Sequence, residues 1–192
     1  MEILTRAGQF ARGCAVLAAL AVVCASGRAA YATGESLEAS IKATYLYKLG
    51  AFVEWPGSAF ESSTSAVNLC LIGNDPFGDT LDKAVSGQRI GEHPIVVRRL
   101  KTVERDSGCQ IVYVGGSKEQ PVAKALDTVR GAAVLTVTDM PPANDAAGIV
   151  QFVIKDNKVR FNIDEQAASA NGLTISSKLL SLAAAVRPKS WQ

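Results

Sequence analysis

The chain has 192 residues, of which 48% are hydrophobic and 20% are charged, and its formal net charge is +2. This composition excludes a disordered chain, because disordered segments contain too little apolar surface to form a core. The length is sufficient for one ordinary domain.

The first 32 residues have the pattern of a secretory signal peptide. Arg6 and Arg12 precede the apolar segment CAVLAALAVVCA, and Ala30–Ala32 then supplies a small-x-small cleavage pattern. The apolar segment is shorter than the roughly 20 residues that a membrane-spanning helix needs. We therefore predict a cleavable signal peptide over residues 1–32 and a single exported domain over residues 33–192.

Cleavage after Ala32 would change both the charge and the cysteine content. It removes three of the 20 basic and one of the 18 acidic residues, which leaves 17 of each. A neutral domain gives no electrostatic case for nucleic-acid binding. Of the four cysteines, Cys70 and Cys109 remain. With His93 as the only histidine, the chain offers too few ligands for a zinc site.

An amphipathic helix is predicted at the start of the exported domain, in SLEASIKATYLYKLGAFVEWP. Its apolar residues, among them Leu37, Ile41, Tyr45 and Leu49, recur at helical spacing. Pro56 is expected to end this helix or to follow it closely. The next segment, PGSAFESSTSA, is rich in Gly, Ser and Thr and is predicted to be a loop.

Strands alternating with short helices are predicted after this loop. The strands are residues 67–73, 94–100, 109–116 and 132–139, and helices are predicted in FGDTLDKAVSG and KEQPVAKALDTVRG. These strands have no polar face, which is typical of a parallel sheet covered on both sides.

The last part of the chain has a different pattern. GIVQFVIKDNKVRFNID predicts a hairpin with a tight turn at residues 155–158. EQAASANG predicts a helix that Gly172 ends, and TISSKLLSLAAAVRP predicts an amphipathic helix. The predicted fold is therefore α/β, with a mixed, mainly parallel sheet of about six strands, the last two forming a hairpin, and with helices on both faces.

The loop in NLCLIGNDPFG is a candidate ligand loop. It lacks G-x-G-x-x-G and a Lys-Ser or Lys-Thr pair, so phosphate binding is not supported. Two interpretations stay open for its position at the end of a strand. Asn74, Asp75 and Phe77 would cover a shallow ligand pocket, or the segment would simply connect a strand to a helix.

No catalytic site is predicted. His93 lies in a turn-like sequence, and the serines of TISSK are outside any G-x-S-x-G motif. Ser177 and Lys178 are adjacent and so point in different directions on a helix, which argues against a Ser–Lys dyad. We expect no enzymatic activity, no cofactor and no metal.

Cys70 and Cys109 are expected to form a disulfide. Cys70 lies in the first predicted core strand and Cys109 starts the third, and these strands can be neighbours in a doubly wound sheet. Two cysteines in an oxidising compartment are more often bonded than free; two buried thiols are the alternative. The bond would close a loop of about 40 residues, for which the chain-entropy estimate is ~4 kcal/mol.

Several blocks of the sequence, taken in order, resemble the YfiR-like periplasmic proteins. They are IKATYLYKLGAFVEWP, LCLIGNDPFG, CQIVYVGG, VLTVTD, GIVQFVIKDNKVRFNI and GLTISSKLLSLA, between about Leu37 and Val186. The resemblance implies a periplasmic α/β protein that represses an inner-membrane diguanylate cyclase through the periplasmic domain of the cyclase, and so limits cyclic-di-GMP signalling and biofilm formation.

The resemblance also implies partners. The repressor would be a homodimer, and an outer-membrane lipoprotein of the OmpA/Pal type would sequester it and release the cyclase. A sensor kinase is an alternative membrane partner. YfiR-like proteins can carry a second cysteine pair, which the exported domain here lacks, so redox regulation attributed to that pair is not expected.

A repressor that acts by contact needs apolar surface, and binding hot spots favour large aromatic anchors. The candidate partner-binding residues are Phe52, Trp55, Pro56, Leu179, Leu180 and Leu182. All of these residue types are also common in cores. The alternative function is a periplasmic small-ligand sensor or carrier, with the loop of residues 74–77 over its pocket.

Overall fold

The computed structural model describes residues 37–139 and 146–189. The predicted signal peptide therefore lies outside the described residues. From Ala39 onward the chain belongs to one compact unit.

Ten strands and five helices follow one another in the described residues. The strands are β1 (Val53–Glu54), β2 (Val67–Gly73), β3 (Arg89–Ile90), β4 (His93–Leu100), β5 (Ile111–Gly116), β6 (Leu135–Thr138), β7 (Val150–Lys155), β8 (Lys158–Asp164), β9 (Thr174–Ile175) and β10 (Ala185–Arg187). The helices are α1 (residues 37–49), α2 (Asp79–Val85), α3 (Val122–Thr128), α4 (Glu165–Ala170) and α5 (Ser177–Leu182). Short 3-10 turns cover Gly50–Phe52 and Gly57–Ala59.

Eight of these strands form the central sheet, in the order β10-β8-β7-β6-β5-β2-β4-β3. Neighbours are parallel except in the hairpin β7–β8 and in the edge pair β3–β4. The predicted fold class, a mixed and mainly parallel α/β sheet, is confirmed. The sheet has two more strands than expected, because the short edge strands β3 and β10 have little sequence signal of their own.

The two faces of the sheet are covered by different helices. On the larger face, Leu69 and Leu71 of β2 belong to a buried cluster that also contains Leu46 of α1 and Leu81 of α2. The smaller cluster on the other face includes Ile72 of β2, together with Ala125 and Val129 on and just after α3. The near-continuous apolar run of β2 is thus explained, because both of its faces are buried.

A disulfide joins Cys70 to Cys109 in this smaller cluster. Strands β2 and β5 are parallel neighbours, and Cys109 lies two residues before β5. The Cα atoms of the two cysteines are 5.9 Å apart, within the range that a disulfide spans. The expected cysteine pairing is present in the structure.

The hairpin turn between β7 and β8 has the predicted two-residue geometry. Asp156 and Asn157 have φ values of 51° and 55°, which places both central residues in the left-handed region that a type I′ turn requires. Asn and Asp tolerate this region better than most residues, so the local sequence favours the hairpin.

The prediction of one amphipathic helix over TISSKLLSLAAAVRP is wrong. The segment divides into β9, the six-residue helix α5 and β10. After α5, Ala184 donates a backbone hydrogen bond to Phe161 (2.8 Å), and Val186 pairs with Ile163 of β8. Pairing with the open edge of β8 therefore overrides the helical pattern.

Candidate functional site

The two segments that carry the candidate partner-binding residues lie side by side. Strand β1 pairs antiparallel with β9, with Val53 opposite Ile175. One residue further on, the backbone N–H of Ser176 donates to the carbonyl of Phe52 (3.0 Å). This small two-stranded sheet brings Phe52 next to the start of helix α5.

The six candidate residues differ in exposure. Leu182 is 53% exposed, whereas Leu179 is 3% exposed and belongs to the core. Leu179 therefore does not offer a contact surface, contrary to its selection as a candidate. The other four are half-buried: Phe52, Trp55, Pro56 and Leu180. We call Phe52, Trp55, Pro56, Leu180 and Leu182 the contact surface.

A cation borders the contact surface. The ammonium of Lys178 lies 5.9 Å from the centroid of the Phe52 ring, within the range of a cation–π interaction. Lys178 thus interacts with an aromatic ring of the contact surface.

Two further aromatic side chains extend from Trp55. Phe60 packs edge-on against Trp55 (6.1 Å between centroids, 71° between planes) and stacks on His93 (4.0 Å, 18°). Nδ1 of His93 is 2.6 Å from the carbonyl oxygen of Ser65. Because Ser65 belongs to the loop before β2 and His93 begins β4, the imidazole holds that loop against β4. Sequence reasoning did not select Phe60 or His93 for this surface, because nothing local links the loop to the start of β4.

The candidate ligand loop follows β2 and is fixed by Asp75. One carboxylate oxygen of Asp75 accepts hydrogen bonds from the backbone of Phe77 (2.7 Å) and Gly78 (3.1 Å), and the other accepts from Arg99 Nε (2.8 Å). Arg99 also contacts Asp82 (2.7 Å). The hydrogen bonds that Arg99 donates to Asp82 lower the pKa of Asp82, and those that it donates to Asp82 and Asp75 raise the pKa of Arg99.

The three candidate loop residues have different roles. Phe77 is buried and packs edge-on against Tyr113, with 4.8 Å between ring centroids, so it anchors the loop. Asn74 is exposed and donates its backbone N–H to Gly116 (3.1 Å). Only Asp75 lines the adjacent cavity.

This cavity has a volume of about 340 Å³ and lies at the carboxyl ends of the central strands. Its lining includes Gly73, Asp75, Arg99, Ser117 and Glu119. Strand β2 lies between β4 and β5, so β4 is added on one side of β2 and β5 on the other. Open α/β sheets commonly bind ligands at such a point, where the order of the strands reverses.

A buried polar cluster lies near this end of the sheet and was not predicted. Lys42 of α1 forms an ion pair with Asp139, which follows β6. Burial raises the pKa of Tyr113 well above its usual range, and the charge of Asp139 and a hydrogen bond to it act in the same direction. No local pattern indicated this cluster, because Lys42 lies outside the predicted apolar stripe of α1.

The comparison with protein families is decisive for the identity of the chain. The model of the YfiR/HmsC-like family matches residues 39–184, which include α1 from its third residue onward, the central sheet except β10, and α5. The chain belongs to the YfiR/HmsC-like family. The suspected relationship is confirmed. No curated protein matches the chain.

Both segments of the contact surface lie within the part of the chain that the YfiR/HmsC-like model matches. Family membership supports a general role in the periplasmic regulation of cyclic-di-GMP signalling.

Within residues 37–139 and 146–189, no three His, Cys, Asp or Glu side chains are grouped so that they would hold a metal ion. The same residues contain no helix with the length and apolar character needed to cross a membrane.

Proposed function

We propose that this YfiR/HmsC-like protein is a periplasmic repressor that holds an inner-membrane diguanylate cyclase inactive by contacting the periplasmic domain of the cyclase. The observation that carries the proposal is the contact surface, where pairing of β1 with β9 brings Phe52 to the start of α5, the helix that carries the exposed Leu182. The contact surface also includes Trp55, and Trp is among the residue types most enriched in binding hot spots.

The expected consequence is lower cyclic-di-GMP synthesis and less biofilm when the repressor is bound. Release would follow when an outer-membrane lipoprotein of the OmpA/Pal type sequesters the protein. A periplasmic sensor-kinase domain is the alternative target for the same surface. The active form is a homodimer in this proposal, which light scattering of the purified protein would test.

The test is complementation of a deletion in the native bacterium, with cyclic-di-GMP measured. Deletion is expected to raise cyclic-di-GMP, and the wild-type gene is expected to restore the low level. Leu182→Glu should fail to restore it, because a charge replaces exposed apolar surface. Val96→Glu is the matched control, since Val96 is 44% exposed on β4, outside the contact surface. Unchanged cyclic-di-GMP on deletion would contradict the proposal.

Export is a separate part of the proposal. Cleavage after Ala32 would leave a protein that begins at Thr33. Intact-mass analysis of protein recovered from the periplasm would check both the cleavage site and the compartment.

A small-ligand sensor is the second candidate function. It is favoured by the cavity of about 340 Å³ at the carboxyl ends of the strands, whose wall contains the Asp75–Arg99 ion pair. A ligand in this cavity would raise the melting temperature of the folded protein. Arg99→Gln should abolish that rise, whereas Leu182→Glu should leave it unchanged.

A further inference from the structure

The β7–β8 hairpin presents a cluster of cations on the side of the sheet opposite the larger core. Lys155 is directly opposite Lys158, and Arg160 is opposite Val153. All three cations are exposed. Because side chains alternate between the two faces of a strand, these residues lie on the face opposite Phe152 and Phe161, which belong to the larger core. We call Lys155, Lys158 and Arg160 the basic face.

The three cations of the basic face form no ion pair with a described residue. No described carboxylate lies within 4.0 Å of its three cations, whereas Lys42, Arg99 and Arg187 each have an acidic partner. Like charges directly opposite each other on antiparallel strands are destabilising. A sequence that keeps such a pair without compensation indicates a surface with another role.

An open sheet edge adjoins the basic face. Within residues 37–139 and 146–189, strand β10 pairs only with β8, and its three residues are exposed. Ala184 donates its N–H toward β8, and backbone directions alternate along a strand, so the N–H groups of Ala185 and Arg187 point toward the open side. An exposed edge of this kind accepts an extended segment as an additional strand.

Arg187 connects the edge to the basic face. It is opposite Asp164 in the register of β10 and β8, and Asp164 is in phase with Lys158 and Arg160 along β8. Arg187 therefore projects on the same side of the sheet as the basic face. Its guanidinium contacts Asp164 (3.3 Å), and the Arg187 side chain is 71% exposed. A cavity of about 360 Å³ lies alongside, with Gln151, Asn162 and Asp164 among its lining residues.

We propose that the basic face and the open edge of β10 together dock an acidic, extended segment of a partner protein. Strand addition at β10 supplies backbone hydrogen bonds. Alternate side chains of the added segment then project on the basic face, where their carboxylates meet Arg187 and the cations of the hairpin.

The character of the surface favours a polypeptide over an anionic membrane. Adsorption to a bilayer uses apolar side chains that enter the lipid together with cations on the same surface. Ile154 and Val186 are the exposed large apolar residues that β7 and β10 contribute. Both lie in phase with the core-facing residues, on the other side of the sheet from the basic face.

The inference does not depend on the proposed repression, because it is tested with purified protein. The probe is a fluorescein-labelled peptide of alternating Glu and Thr, with a Gln-Thr peptide of the same length as its control. We expect the Glu-Thr peptide to bind, more weakly as salt is raised, and the Gln-Thr peptide to bind at least about tenfold more weakly.

Variants of the protein locate the binding. The triple variant K155Q/K158Q/R160Q should bind the Glu-Thr peptide about tenfold more weakly than wild type. The triple variant K83Q/K118Q/K124Q removes three exposed cations elsewhere and should bind as wild type. A Glu-Thr peptide methylated on alternate backbone nitrogens cannot pair with β10 and should also lose affinity. Circular dichroism checks that both variants are folded.

Three outcomes would overturn the inference. Equal affinity of K155Q/K158Q/R160Q and wild type would show that the basic face is not used. If that variant also self-associated, its cations would instead protect the open edge from pairing between copies. Cation-dependent binding to phosphatidylglycerol vesicles without binding to the peptide would assign the face to a membrane. Full affinity of the methylated peptide would exclude strand addition.

Discussion

Lys42 Nζ lies 3.1 Å from Asp139 Oδ2, so an ion pair joins helix α1 to the end of strand β6 across 97 residues of sequence. The side chains are only 11% and 18% exposed, where water screens the charges weakly. The pair therefore holds α1 in one position on the sheet.

Lys42→Met is expected to lower the free energy of unfolding by about 3 kcal/mol or more, because it leaves a largely buried carboxylate without its cation. Lys48→Met, at an exposed position on the same helix, should change it by less than about 0.5 kcal/mol. Urea denaturation measures both. Adding Asp139→Asn to Lys42→Met should recover part of the loss, and strictly additive effects would contradict direct coupling.

Stability at alkaline pH is expected to reflect Tyr113. Burial raises the pKa of Tyr113 above its usual value of 10.0, so the folded protein keeps the hydroxyl neutral while the unfolded chain ionises it. The resulting contribution to stability is complete below about pH 10 and declines as the pH rises above it. Tyr113→Phe should remove part of this decline in urea titrations. Wild type and Tyr113→Phe contain the same lysines, so the effect of lysine titration cancels when their free energies of unfolding are subtracted.

Reduction of the Cys70–Cys109 bond is expected to lower the free energy of unfolding by ~4 kcal/mol, because the unfolded chain regains the entropy of the opened loop. Thermal denaturation with and without a reductant would measure this loss. The double variant C70A/C109A should be less stable than the oxidised wild type and insensitive to the reductant. A wild-type melting temperature that does not change on reduction would contradict the expected contribution.

Leu179 and Leu182, three residues apart on α5, are expected to respond differently to truncation. Leu179→Ala should destabilise the protein by about 2–5 kcal/mol, because its side chain is buried. Leu182→Ala should cost about 0.5 kcal/mol or less, since half of that side chain already faces solvent. Equal losses in urea denaturation would show that Leu182 is not a surface residue.

Gly73 is expected to be intolerant of any side chain. Its φ is +79°, and a Cβ atom there would come within 2.4 Å of the carbonyl oxygen of Gly116. Gly73→Ala should therefore destabilise the protein by at least about 1–3 kcal/mol. Gly57→Ala is the control, because a Cβ atom at Gly57 would meet no other atom within 4 Å. Chemical denaturation of the two variants compares them directly.

The features predicted correctly from sequence are those that local patterns determine. The apolar run of β2 ends at Gly73, and the hairpin turn has Asp156 and Asn157 in the two positions that need positive φ. Gly131 and Gly172, also with positive φ, follow α3 and α4. In each case the sequence within about ten residues is sufficient to specify the structure.

Features that depend on distant pairing were missed. Strands β1 and β9 have two residues each, too few for an alternating pattern, and each forms only because the other is adjacent. Helix α1 buries Ala43, Leu46 and Leu49 while Ile41 is 38% exposed, so its buried side is rotated from the predicted apolar stripe. Which residues of α5 are exposed could not be predicted either. Their exposure depends on where α5 ends and the chain turns to pair with β8 as strand β10.

The β1–β9 pairing also makes the contact surface a conformational epitope, since its two halves come from opposite ends of the domain. A synthetic peptide copied from either half would lack the other and would be a poor mimic of the whole. A chain that is truncated before β9, or in which β1 and β9 fail to pair, would lack the contact surface. Such a chain would not bind the proposed partner. Under the proposed repression, misfolding of this protein would therefore leave the cyclase active and not permanently silenced.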